Sequence, residues 1–163
     1  MSRSEPGGPK GETGLLSGIA SKLREGLGDD LVAVVLFGSR ARGEAREGSD
    51  WDVLVVADGL PGRTLERAIW LKRMLPPDYR GEVSLLAKTP EEFMSNLPDL
   101  YLDIALDGVI LHDTDDFMAE RLRALKALIR RKRLRREGDD GDLIWRWPQP
   151  PSPDWSLEWE EAL

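Results

Sequence analysis

The chain has 163 residues, 40% of them apolar, a formal net charge of −7 and no cysteine. That length suits one ordinary domain rather than two. The missing cysteines exclude a disulfide framework and a zinc–thiolate site, the acidic balance argues against general affinity for nucleic-acid backbones, and no apolar run approaches the roughly 18 residues of a membrane span.

Met1–Gly14 is polar, rich in Gly and Pro, and has no apolar h-region, so it is no signal peptide. Residues 1–12 are expected to form a disordered tail. A cytoplasmic setting fits a chain without cysteine. Asn96 is the only asparagine and Gln149 the only glutamine, while 33% of residues are charged. That balance points towards a thermophilic source.

Leu15, Ile19, Leu23 and Leu27 recur every four residues, which predicts an amphipathic helix closed by Gly28. Leu31–Phe37 and Trp51–Ala57 are continuous apolar runs and read as buried strands. Gly38–Ser49 joins them as a loop with room for one helical turn after Ser39. Thr64–Leu75 is helical, with Leu65, Ile69 and Leu71 or Met74 expected inward, and Pro76–Pro77 stops it. Glu82–Lys88 is a third strand. Thr89, Pro90 and Glu92 then spell a capped helix start. A short helix is expected over Pro98–Leu106, a short strand over Gly108–Leu111, and one long helix over Asp113–Arg136. Gly138–Gly141 reads as a linker, and the last twenty residues are rich in Trp and Pro. Alternation of helix and strand by itself suggests a parallel doubly wound sheet.

The stretch that carries chemistry is Leu36–Val56. Residues i and i+2 of a strand face one way, roughly 6.6 Å apart, so Asp50 and Asp52 project together and Trp51 points away. Two adjacent carboxylates repel, and one takes a proton unless a cation joins them. Magnesium commonly uses one or two carboxylates and completes its shell with phosphate oxygens and water; two ions serve phosphoryl and nucleotidyl displacement. Gly38 lets backbone approach a ligand, and Ser39 adds a hydroxyl and free N–H groups suited to an anion. Arg40, Arg42 and Arg46 supply guanidinium forks for a triphosphate. Each feature has a plainer reading. Asp-x-Asp can be a wet strand entry, Gly-Ser a turn, Ser49–Asp50 an Asx-turn, and the arginines partners for Glu44 and Glu47. The loop is no Walker A, because Gly43 is followed by Glu44–Ala45.

Gly38–Ser39, ten residues, then Asp50-x-Asp52 at a strand start resembles the minimal nucleotidyltransferases of the DNA polymerase β superfamily. The likeness extends more loosely through Val83–Phe93 and Tyr101–Asp113 and stops before the last twenty residues. It implies an α/β (α+β) fold with a mixed three- to four-stranded sheet of polymerase-palm type, flanking helices and a long C-terminal helix, in a domain over 13–137 followed by a tail over 138–163. It implies that Gly38 and Ser39 hold the β- and γ-phosphates and that Asp50 and Asp52 hold the metals, with two magnesium ions expected; Arg40, Arg42 and Ser49 are the further nucleotide-binding candidates. The reaction implied moves a nucleoside monophosphate, AMP from ATP, to an acceptor hydroxyl. Small members pair with a helical HEPN-type protein as a toxin–antitoxin couple, and there the transferase adenylylates a tyrosine of its partner. One position departs from the pattern. Ser84 stands where a third carboxylate is expected, and Glu82, on the same face of the strand, is the candidate catalytic and metal-binding substitute. Without it, a nucleotide-binding subunit that neutralises its partner is the alternative, followed by nucleotide addition to RNA or modification of an aminoglycoside.

Nine Arg or Lys residues lie between Arg121 and Arg136, with Asp113, Asp115 and Asp116 at the other end. That order offsets a helix dipole, and it also suits RNA or the acidic tail. Trp145, Trp147, Trp155 and Trp159 are expected to dock, with a homodimer or partner contact through the tail preferred. His112, the only histidine, reads as structural, since one histidine builds no zinc site.

Overall fold

The computed structural model describes residues 9–138, 142–148 and 157–163. Trp155 and the Gly138–Gly141 linker beyond its first residue lie outside that set. The polypeptide forms α1 (Pro9–Leu27), β1 (Leu31–Phe37), α2 (Ser39–Arg42), β2 (Trp51–Ala57), α3 (Thr64–Lys72), β3 (Val83–Lys88) and α4 (Pro90–Ser95). It continues through α5 (Asp99–Asp107), β4 (Val109–Asp113), α6 (Phe117–Arg131), β5 (Arg135–Glu137), β6 (Ile144–Arg146) and α7 (Trp159–Ala162). The main sheet runs β3-β2-β1-β4. β1 is antiparallel to both β2 and β4, while β2 and β3 are parallel. The sheet is therefore mixed, as the family resemblance implies and as alternation by itself does not.

Strand alternation divides the core in two. Val34, Leu36, Trp51, Val53 and Val55 face Ile19, Leu23 and Leu27 of α1 and Leu71 of α3. Ala33, Val35, Leu54 and Val56 face Phe93 of α4, Tyr101 and Ile104 of α5, and Met118, Leu122 and Leu125 of α6. Asp52 has the parity of Leu54 and Val56, so it opens towards the second layer.

α4 starts as its sequence predicts. Thr89 Oγ1 accepts from the Glu92 N–H at 3.2 Å and the Glu92 carboxylate returns to the Thr89 N–H at 3.4 Å, a capping box. Two expectations fail. In α3 the inward residues are Arg67 and Leu71, while Leu65 is 72% and Ile69 46% exposed. Arg67 turns inward because Glu92, 25 residues away, awaits it with two hydrogen bonds of 2.6 and 2.7 Å. The long helix is shorter than expected at both ends. Asp113 stays in β4 and accepts the N–H groups of Met118 and Ala119, at 2.9 and 2.8 Å, as a remote cap. At the other end Arg133 adopts φ 54° and the chain turns into β5. The described parts of the tail dock on the domain that precedes them. β5 and β6 form an antiparallel hairpin with Arg136 opposite Trp145. Trp145 is buried, and Trp159 packs on Phe93 and Tyr101 while its indole N–H donates to the carbonyls of Phe93 and Asn96. Trp147 packs partly buried beside the same layer. Trp145, Trp147 and Trp159 thus pack within one chain. The acidic tail does meet the basic helix at one point, where Glu161 engages Arg131 and Lys132. No helix among the described residues is long and apolar enough to cross a membrane.

Tyr101 is almost wholly buried, stacked on Phe93 with ring centroids 4.4 Å apart, and its hydroxyl finds no hydrogen-bond partner among the described residues. Burial first, and the Glu92 charge second, push its pKa up to about 12. Tyr101→Phe removes a desolvated oxygen and keeps the ring. It is expected to leave stability unchanged or raise it by about 1 kcal/mol, read as a higher urea midpoint at constant slope. A clear loss would mean that the hydroxyl has a partner.

Candidate active site

The first strand of the motif ends in a sharp corner. Gly38 has φ 76° and ψ −161°, backbone that L-residues with a side chain avoid. A Cβ at this position would collide with the Asp52 carboxylate. Glycine is thus required twice, by its dihedral angles and by the acid packed against it. The single turn α2 follows, and Gly43 closes it in the left-handed conformation. The loop then returns through Gly48, also at positive φ, and a turn in which the Ser49 hydroxyl accepts the Arg46 N–H at 2.9 Å.

These segments enclose a cleft of about 360 Å³ lined by Gly38, Ser39, Arg42, Arg46, Ser49 and Asp52, with Glu44 at its margin. Two larger depressions lie elsewhere, between α1 and β4, and hold none of the motif. Asp52 is half-buried at the start of β2 and accepts no hydrogen bond among the described residues. Burial pushes its carboxyl above the ordinary range, the Asp50 charge adds to that, and Arg42 opposes it. Asp50, two residues earlier, is exposed. The two acids therefore act on each other as strand geometry predicts, and neither has a hydrogen-bond donor among the described residues. A carboxylate pair in that condition suits a divalent cation.

The arginines separate. Arg42 lines the cleft, bonds Glu44 at 3.0 Å and lies 3.7 Å from Asp107 at the end of α5. Arg40 goes to the other side of the sheet, where it stacks over Trp51 at 4.6 Å and donates to the Ser49 carbonyl at 2.9 Å. It pins the loop and does not line the cleft. Arg46 lines the cleft near its rim.

The register of β2 with β3 places Ser84 directly beside Asp52. Glu82 sits just before β3, exposed, and its carbonyl accepts the Trp51 N–H at 2.8 Å. Alternation keeps Glu82 on the same face as Ser84, one step towards Asp50. Yet no group of three or more His, Asp or Glu side chains able to hold a metal is assembled among the described residues. Glu82 thus shares a face with the acid pair. His112 is engaged with Thr114 at 3.1 Å, far along the chain from the motif and outside this cleft. Sequence reasoning missed Asp107, whose only signal was an acid at a helix C-terminus, where the dipole disfavours it.

Comparison with known proteins bears directly on the corner and its acid pair. A family model described as nucleotidyltransferase domain matches residues 16–124, which contain α2, both acids and β3. The chain belongs to that family. As a nucleotidyltransferase it is also 33% identical over 121 residues to a protein of Methanocaldococcus jannaschii named "Putative protein adenylyltransferase MJ1305", across 72% of this chain and 82% of that one. Among solved structures, a toxin–antitoxin complex with AMP-PNP shares 20% identity over 72% of this chain and 92% of its own, with a TM-score of 0.49. The complex of tri-AMPylated HEPN toxin with MNT antitoxin from Shewanella oneidensis shares 20% identity over 75% and 92%, with a TM-score of 0.48.

Proposed function

We propose that this nucleotidyltransferase transfers AMP from magnesium-bound ATP to a hydroxyl of a protein partner. The observation that carries the reading is the Gly38 corner pressed against the Asp52 carboxylate, with Asp50 on the same strand face and Arg42 beside them. That corner sets backbone N–H groups, a serine hydroxyl and a guanidinium around one small cleft whose acids have no hydrogen-bond donors among the described residues. The triphosphate is assigned to Gly38, Ser39, Arg42, Arg46 and Ser49. Asp50 and Asp52 are the groups that would hold magnesium, whose charge neutralises the phosphate oxygens and the acids together. Identity to a relative named as a protein adenylyltransferase favours a protein acceptor and ATP. A helical partner of HEPN type follows from the family resemblance.

The protein's own residues are placed to receive the triphosphate. Arg42, kept close to Asp52 and away from bulk water, offsets charge on the triphosphate as it develops. Ser39, at the start of α2, offers donors without any movement of the backbone.

A second reading has its own observation. Ser84 stands beside Asp52 where the resemblance implies an acid, and no cluster of three acids is assembled there among the described residues. Such a site holds a nucleotide and transfers it slowly, and the protein then acts on its partner by binding. Incubation with ATP labelled at the α-phosphate, magnesium and the proteins that co-purify with this chain separates the two. Label on a partner supports the transferase. Nucleotide uptake by calorimetry without label supports the binding subunit, and Ser84→Asp should then raise the yield of label. Calorimetry that detects no Mg·ATP uptake overturns both.

A further inference from the structure

A chain of alternating charges runs from the cleft to the C-terminal hairpin. Arg42 lines the cleft and lies 3.7 Å from Asp107. Asp107 is held far more closely by Arg136 of β5, through both guanidinium nitrogens, with Nη2 to Oδ1 at 2.9 Å. Arg136 also donates to Asp103 at 3.2 Å, and Asp103 accepts the Trp145 indole N–H at 3.1 Å. Arg136 and Trp145 are opposite one another in the hairpin, so they arrive on α5 together. The side chains of Arg42, Asp107 and Arg136 keep only 13, 12 and 18% of their surface exposed. At such burial neighbouring charges are weakly screened.

Asp103 and Asp107 are one turn apart on α5, a like-charged i,i+4 pair, and Asp107 is also the last residue of the helix, where the dipole opposes a carboxylate. Helix physics alone disfavours both acids. Arg136 settles them. In doing so it takes up both oxygens of Asp107, the acid that otherwise has Arg42 as its nearest cation.

We propose that Arg136 is a positioning residue for the nucleotide site: by occupying Asp107 it leaves the Arg42 guanidinium available to the triphosphate. Without Arg136, the buried Asp107 carboxylate is left with Arg42, 3.7 Å away, and competes with phosphate oxygens for it. The hairpin beyond the matched family region thereby sets the strength of anion binding in the cleft. This rests on the nucleotide reading of the cleft given above.

The test is a double-mutant cycle on the full chain, with the dissociation constant for Mg·ATP read by calorimetry and folding checked by circular dichroism. Arg136→Gln is expected to weaken binding about fivefold to tenfold. Asp107→Asn, which removes the competitor, is expected to bind at least as well as the wild type. The double variant is expected to return within about twofold of the wild type, a rescue that loss of hairpin docking cannot produce. The proposal is overturned if Arg136→Gln binds as the wild type does, or if the double variant is as weak as Arg136→Gln. Should Arg136→Gln fail to fold, Asp107→Asn decides alone, since weakened binding there contradicts the competition. A wild type that takes up no Mg·ATP overturns the functional reading and this inference with it, whereas uptake unaffected by Arg136 overturns only the inference.

Discussion

Asp52→Asn is expected to lower nucleotidyl transfer about 10³-fold and, at neutral pH without metal, to raise the melting temperature. The first effect follows from losing one of the two carboxylates proposed to hold the cation, a cost near 4 kcal/mol in the transition state. The second follows from the sign of the carboxyl shift. Burial and Asp50 raise the folded-state pKa of Asp52 above its ordinary 3.8, with Arg42 opposing. A raised acid binds its proton more tightly when folded, so its ionised form opposes folding. That opposition begins as pH rises through the unfolded value and is complete above the folded one. Asparagine keeps the shape and removes the charge. The variant's thermal advantage should therefore be full at pH 7 and vanish below about pH 4. Magnesium should raise the melting temperature of the wild type and leave the variant unmoved. A variant less stable than the wild type in chelator would show that Asp52 is paired within the protein, and the cation reading of the acids would fail.

That trade of stability for function was partly visible in the amino-acid order. Asp50 and Asp52 share a face because strand alternation is local, and the Gly38–Ser39 corner is spelled by adjacent residues. The Thr89–Glu92 capping box is local too. What stayed hidden depends on partners far along the chain. Leu65 and Ile69 satisfy every hydropathy rule for the inner face of α3, yet Arg67 takes that face because Glu92 and the Ala87 carbonyl meet its guanidinium. Arg135 and Arg136 look like the last turn of a basic helix. They become a strand because Arg133 turns the chain and Asp103 and Asp107 capture Arg136. Arg40 and Arg42 differ by two residues and are indistinguishable by composition. Only the position of Trp51 on the opposite face of β2 draws one of them away from the cleft.

The same long-range logic makes Glu92→Gln the largest expected loss of stability. Arg67 is the one buried charged residue among those described, at 8% exposure. Its guanidinium meets both Glu92 oxygens, at 2.6 and 2.7 Å, and also donates to the Pro61 and Ala87 carbonyls. It thereby ties the loop before α3, the end of β3 and the start of α4 to one point. Removing one partner of a buried pair commonly costs about 3–5 kcal/mol, since the other charge is left without compensation. Glu92 keeps 40% of its side chain exposed, and water reaching it reduces the expected loss to about 2 kcal/mol. For a chain of this size that lowers the melting temperature by about 4–8 °C. Glutamine retains a carbonyl oxygen for the Thr89 N–H, so the capping box is only weakened. The pH dependence identifies the cause. The hydrogen bond from Arg67 is the main reason the Glu92 carboxyl falls from 4.5 to about 2, against an opposing contribution from burial. A depressed acid stabilises the fold above its unfolded value and loses that contribution as pH falls through the folded one. The stability gap between wild type and Glu92→Gln, measured by urea titration, should thus be full at pH 7, narrow below about pH 4.5 and close near pH 2. A gap that stays constant across that range would assign the loss to packing and remove the ion pair from the account of this joint.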